Sequence, residues 1–213
     1  MIRVVSILFI ALVFLAGCMT SSSIRRYSAD VSLVVIGNTV AKYSHTNGVG
    51  EKLGNGPWKK GDKIPAYARM STGYGVGTQV YYLTTDGKDS VWVNFKEACT
   101  EAANEARLML YAQVPKAQSD DAWSRTTVWI NKNSDMKIQT ASDNIVSTFN
   151  PIKAGNYGYT ATRLTSGDKS TITMECNYKS SEYELYGSTC LQRIRAAHYF
   201  IQTGNTISYE EIP

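Results

Sequence analysis

Residues 78–95 read TQVYYLTTDGKDSVWVNF, and this stretch decides the fold class. Thr78–Thr84 is dense in β-branched and aromatic side chains, and Ser90–Phe95 alternates apolar with polar. Between them stands Asp86-Gly87, a pair suited to the positive φ of a tight hairpin. Two short strands joined in this way predict antiparallel sheet. Further runs of strand character surround them: Val31–Val40, Tyr67–Met70, Arg125–Asn131, Met136–Thr140, Ile145–Phe149, Tyr157–Leu164 and Ser170–Tyr178. In the last, Ile172, Met174, Cys176 and Tyr178 alternate with Thr171, Thr173, Glu175 and Asn177, the period of a half-buried strand.

One helix is expected, over 95–113. Phe95, Cys99, Ala102, Ala106 and Met109 fall on a single apolar stripe, and Glu97, Glu101 and Glu105 line the other side near its N-terminal half. Pro115 closes it. The polar stretch 115–124 is the place for a sub-boundary. Residues 196–211 read as a hairpin, His198–Gln202 and Thr206–Glu210 about Gly204-Asn205. A helix over 190–202, with Leu191, Ile194, His198 and Ile201 on one face, is the competing reading. The expected fold class is α+β, mainly antiparallel β with one substantial amphipathic helix at about 95–113.

Composition narrows the function. With 213 residues the chain holds one domain or two small ones. Lys and Arg total 22 against 18 for Asp and Glu, and no basic block stands out, so nucleic acid is not an expected partner. Two histidines and four cysteines leave little material for a metal centre, and no metal or cofactor is expected.

The N-terminus reads as an address. Arg3 precedes Val4–Ala16, thirteen residues in which Ser6 alone is polar. A membrane-spanning helix needs about 20 apolar residues, so this run is a signal-peptide core. It ends in Leu15-Ala16-Gly17-Cys18. This resembles the lipobox of bacterial lipoproteins, in which small residues precede an obligatory cysteine. The resemblance covers about the first 18 residues and implies cleavage after Gly17 and a diacylglyceryl thioether on Cys18, whose thiolate takes the lipid. Met19, in place of Asp, implies the outer membrane in a Gram-negative host, with the domain facing the periplasm. In a Gram-positive host the anchor implies the cell membrane. Residues 1–17 are then the signal peptide, 18–28 a lipidated tether, and 29–213 a β-rich globular domain.

With Cys18 lipidated, three thiols remain. Cys99 belongs to the apolar stripe, which leaves a disulfide between Cys176 and Cys190. Export to an oxidising compartment favours it.

No motif announces catalysis. Gly48-Val-Gly50 and Gly54-Asn-Gly56 lie beside Lys52, Lys59, Lys60 and Lys63, but the Walker pattern is missing and a surface loop over His45–Asp62 is the simpler reading. His45 and His198 have no spacing that joins them to Asp120 or Asp121, and each reads as structural. Trp92 and Trp129 stand in runs that look buried. Trp58 and Tyr74, flanked by glycines, are better placed to meet a partner, an envelope protein or a glycan. The function expected is a lipid-anchored, non-catalytic binding or assembly module. The alternatives are a cell-wall hydrolase using carboxylates such as Asp30, Asp62, Asp120, Asp121 and Glu184, and a surface-exposed adhesin or phage-exclusion lipoprotein.

Overall fold

A computed structural model describes residues 22–45, 49–72, 79–179 and 183–213. Residues 1–17, expected as a signal peptide, and with them Cys18 and Tyr74, lie outside the described residues. Two antiparallel sheets follow one another along the chain. Sheet A is built from β1 (Ser22–Val35), β2 (Ala41–His45), β3 (Val49–Asn55), β4 (Lys63–Thr72), β5 (Gln79–Thr85), β6 (Ser90–Asn94) and β7 (Ala98–Thr100), in spatial order β3-β2-β6-β5-β4-β1-β7. Sheet B is built from β8 (Ala112–Pro115), β9 (Ile138–Ala141), β10 (Ile145–Thr148), β11 (Tyr157–Ser166) and β12 (Lys169–Tyr178), in order β8-β12-β11-β10-β9. Among the described residues three helices accompany them: α1 (Glu101–Ala106), α2 (Ser119–Asn133) and α3 (Tyr183–Thr203). The expected class, α+β and mainly antiparallel β, is the class observed.

The hairpin at Asp86-Gly87 forms as its chemistry dictates. Thr85 pairs with Ser90, and Gly87 takes a φ of 93° that a side chain would resist. The Asp86 carboxylate accepts from the Lys88 and Asp89 amides at 3.1 and 3.0 Å. These amides, with the Lys42 ammonium, hold its carboxyl far below the usual carboxylate range.

The helix expected over 95–113 is reduced to six residues. β1 needs a second neighbour along Leu33–Val35, and Ala98–Thr100 supplies it as β7. Ala98 and Cys99 are consecutive and both fully buried, which a one-sided helical stripe does not allow. Thr100 then caps α1, its hydroxyl accepting from the Ala103 amide at 3.2 Å. Burial pushes the Cys99 thiol up to about 11.

The substantial helices lie elsewhere. Arg125–Asn131, expected as strand, is the second half of α2. Ser119, Ala122, Thr126, Trp129 and Ile130 form its buried stripe. Its threonines are not lost to the helix, because Thr126 and Thr127 donate to the carbonyls four residues back. Asp120 and Asp121 stand in its first turn, where the dipole favours them. The stretch 115–124 is therefore the end of β8, a 3₁₀ turn and the start of α2, and sheet A gives way to sheet B earlier, around α1.

The hairpin expected over 196–211 is absent, and α3 runs through Thr203 instead. Cys190, Ile194, Ala197 and Ile201 recur at helical spacing and pack, with α2, on Ala112, Val146, Tyr159, Ala161, Ile172 and Met174 of sheet B. Gly204 ends the helix with a φ of 77°. Two smaller differences concern the N-terminal half. Ser22–Arg26 pairs with Ala68–Thr72, so the expected tether over 18–28 gives way to strand at Ser22. The expected loop over 45–62 contains β3, which folds back on β2.

The disulfide Cys176–Cys190 is present, with Cα atoms 5.7 Å apart. It ties the end of β12 to the buried stripe of α3. The crosslink closes a loop of 14 residues' separation, so Cys176→Ser with Cys190→Ser is expected to cost about 3 kcal/mol in urea unfolding. Ala106 is fully buried against Ala196, Tyr199 and Ile212. Ala106→Asp places an unpaired charge there, and a loss of about 3–5 kcal/mol is expected in the same measurement.

Candidate functional site

Cross-strand partners in a sheet share a face, so the register assembles a surface that no single strand shows. Arg26 faces Ala68, Ala68 faces Leu83, Leu83 faces Trp92, and Trp92 faces Tyr43. Two residues along lies a second row, Ile24, Met70, Tyr81 and Asn94. Ala68, Met70 and Trp92 are buried and form the floor, with Tyr43, Val49, Tyr81 and Leu83 half-buried around them. A depression of about 280 Å³ opens over this floor, lined by Ile24, Arg26, His45, Tyr67, Ala68, Leu83 and Trp92.

The lining has a mixed chemistry. Ile24 and Tyr67 are each 49% exposed, a large apolar outlay for side chains in paired strands. Arg26 and His45 are exposed, and Arg26 makes no ion pair among the described residues. The His45 ring meets the edge of Trp92 with centroids 5.5 Å apart. Trp92 is fully buried, yet its Nε1 has no hydrogen-bond partner among the described residues. A buried donor without an acceptor is costly, and it sits beside a cationic and an imidazole side chain. The set offers donors to an anionic or carbonyl oxygen and apolar surface to whatever carries it.

The opposite face of the same strands is committed to the fold. Arg25 and Arg69 are cross-strand partners. The Arg69 guanidinium meets Glu211 at 3.0 Å and Glu210 at 3.6 Å. Burial pushes the Glu211 carboxyl up from its ordinary value, against the pull of Arg69 and Arg25. This cluster docks the C-terminal 3₁₀ turn, Tyr209–Glu211, on sheet A.

Other candidate residues are dispersed. Trp58 is half-buried on the sheet A core, and its ring lies so close to Gly56 that a Cβ there would be 2.2 Å away. Trp92 is buried as expected, and so is Trp129, although Trp129 stands on α2. Asp120 is almost fully exposed and bonds Arg163 at 2.7 Å. Asp62 accepts from the Lys59 amide in a turn before β4. The side chains of Asp30 and Glu184 lie outside the description. Among the described residues no three His, Cys, Asp or Glu side chains gather as metal ligands would. A second groove, about 210 Å³, lies between α2, α3 and the chain after it, and Val128, Trp129, Phe200 and Ile207 line it.

His198 is fully buried on α3, away from any of these surfaces. Burial pushes its imidazole down to about 4 from an ordinary 6.5, with the Met109 backbone opposing. The unfolded chain therefore binds a proton near 6.5 that the folded chain refuses until about 4. Its stabilising contribution is complete above pH 6.5 and is lost as the pH falls towards 4, by at most ~3 kcal/mol. In His198→Leu, urea midpoints measured across this window are expected to show a correspondingly flatter pH dependence.

Nothing in this surface depends on analogy. Comparison of the chain with protein-family models, curated proteins and solved structures finds no match.

Proposed function

We propose that this chain is a lipid-anchored envelope lipoprotein whose domain acts by binding, with the depression over Trp92 as its contact surface. The observation that carries the reading is the join between motif and fold. Leu15-Ala16-Gly17-Cys18 closes an apolar run of signal-peptide length, and the first strand begins only four residues later, at Ser22. Among the described residues no helix is long and apolar enough to cross a membrane. The Cys176–Cys190 disulfide supports an oxidising compartment, which is where such an anchor delivers its domain. In a Gram-negative host the anchor belongs in the outer membrane, as Met19 implies.

A binding role is favoured by the chemistry of the depression, which offers donors and apolar surface and no paired acid and base. Of the carboxylates the hydrolase alternative draws on, Asp30, Asp62, Asp120, Asp121 and Glu184, Asp62 and Asp120 stand on separate elements, each engaged with its own neighbour.

Growth with labelled palmitate tests the anchor. The label is expected in the wild-type chain and absent from Cys18→Ser, which accumulates as an unprocessed precursor. Label still entering Cys18→Ser sinks the reading.

A further inference from the structure

We propose that the sheet A face around Ile24, Arg26, Tyr67 and Trp92 docks on the lipid bilayer itself, through anionic phospholipid headgroups. The inference rests on the lipid-anchor reading and names the partner of the surface already described. Three observations converge on it.

The first is reach. Ile24 follows Cys18 by six residues, and a chain spans at most ~3.6 Å per residue, so the depression lies within about 22 Å of the acyl chains. The opposite face of the same strand, at Arg25, is one residue farther and is committed to Arg69 and the C-terminal carboxylates. A tether that short converts a weak surface contact into an intramolecular one, with an effective concentration in the millimolar range.

The second is composition. Ile24 and Tyr67, each 49% exposed, supply an aliphatic and an amphipathic aromatic side chain. Tyr is suited to the headgroup level, where its ring meets apolar matter and its hydroxyl meets water. Arg26 stands beside them, exposed and without an ion pair among the described residues. Anionic lipid headgroups attract such a charge.

The third is the pair of donors at the mouth of the depression. Arg26 and His45 both line it and both are exposed. A headgroup phosphate is an acceptor that both side chains can reach from the surface. Its glycerol and acyl portions meet Ile24, Tyr67 and Leu83. The two acyl chains of a diacylglyceryl anchor already hold a protein stably, so the contact sets orientation and is not needed for attachment. This face supplies a second contact and also fixes which side of the domain points at the membrane.

The test uses the full-length lipidated protein, reconstituted into phosphatidylcholine vesicles with and without phosphatidylglycerol. An environment-sensitive fluorophore is placed at Tyr67→Cys or, as control, at Leu110→Cys, which is 74% exposed on the chain after α1. Flotation with the vesicles reports anchoring, and quenching by headgroup nitroxide lipid reports docking. Quenching is expected at 67, is expected to rise with phosphatidylglycerol, and is expected to be small at 110. Removing one cationic charge, in Arg26→Gln, is expected to lower the docked fraction about five-fold in anionic vesicles while flotation stays complete. Both labelled variants change exposed side chains, and the retained Cys176–Cys190 bond shows that each has folded.

Full flotation with equal quenching at 67 and 110, whatever the lipid charge, overturns the docking and leaves the anchor standing. Quenching at 110 in place of 67 overturns it too. Protection of position 67 in whole envelopes but not in lipid vesicles assigns the face to a protein partner and also overturns it. Lipid missing from Cys18 removes the anchor and the docking together.

Discussion

The rest of the structure depends on α3 lying down on sheet B. Cys190, Ile194, Ala197 and Ile201 form one stripe, and Ile172, Met174, Tyr159 and Ala161 receive it. The disulfide to Cys176 pins the stripe at its start, and the Arg125 guanidinium bonds the Ile201 carbonyl near its end. Between these points Arg193 lies over the rings of Tyr157 and Tyr209, at 4.2 and 4.6 Å, and donates to the Tyr159 hydroxyl. A helix held so firmly can carry another element on its far side. That element is the C-terminus: Gln192 donates to the Ile212 carbonyl at 2.6 Å and Arg195 to the Pro213 carbonyl at 3.2 Å. Ile212, fully buried with Ala106, Ala196 and Tyr199, then brings Glu210 and Glu211 to Arg69 of sheet A. The two sheets are thus coupled through the last few residues of the chain, and that coupling exists only once α3 is in place.

Sheet A solves a different problem. β1 is fourteen residues long and changes neighbours along its length. Its second half lies between β4 and β7, while Ser22–Arg26 pairs with β4 alone. The register slips between Arg26 and Val31, and this irregularity lets one strand serve two packing environments. Arg25 and Arg26 stand where the strand's outer edge has no described partner, and charge on such an edge discourages pairing with another chain. The two arginines then divide by face. Arg25 turns to Arg69 and the C-terminal carboxylates, and Arg26 to the Trp92 depression.

The sheets were legible in the sequence where a single periodicity governed. β5 and β12 each bury alternate residues, and Asp86-Gly87 marks its turn with local chemistry alone. The Cys176–Cys190 pair followed from counting thiols once Cys99 was assigned to the core. The helices were less legible. In α2 the β-branched density of Arg125–Asn131 hid a stripe that begins upstream, at Ser119 and Ala122. In α3 the face actually buried contains Cys190 and Ala197, a disulfide half and a small residue, and Leu191 is 45% exposed. Over 95–113 the helical period was present, but the open edge of β1 competed for the same residues and won Ala98–Thr100. The Trp92 depression was illegible for a different reason. Ile24, His45, Tyr67 and Trp92 stand on four strands, and only the pairing register brings them to one place. Trp58 and Tyr74 drew notice because glycines flank them, a local signal that says nothing about shared faces.

The uncovered face of sheet A is therefore better explained by what lies outside the domain than by packing within it. Sheet B carries α2 and α3, which cover the side chains it turns inward. The helix on sheet A, α1, packs at β1 and β7, at the far end from β6 and β2. Ile24, Tyr67, Tyr43, Leu83 and His45 are left half-covered or exposed around a floor that is itself buried. Scattered apolar side chains on a surface need no explanation, but a contiguous set with a buried unpaired donor beneath it does. If stability alone had shaped this face, a polar partner for Trp92 Nε1, or phenylalanine in its place, would remove the cost of the orphan donor. The strand that carries Ile24 and Arg26 into this set is also the first described strand after Leu15-Ala16-Gly17-Cys18. Under the proposed anchor, the exposed Arg26 and the half-covered apolar side chains around it would stand at the headgroup level, where an anionic surface meets both.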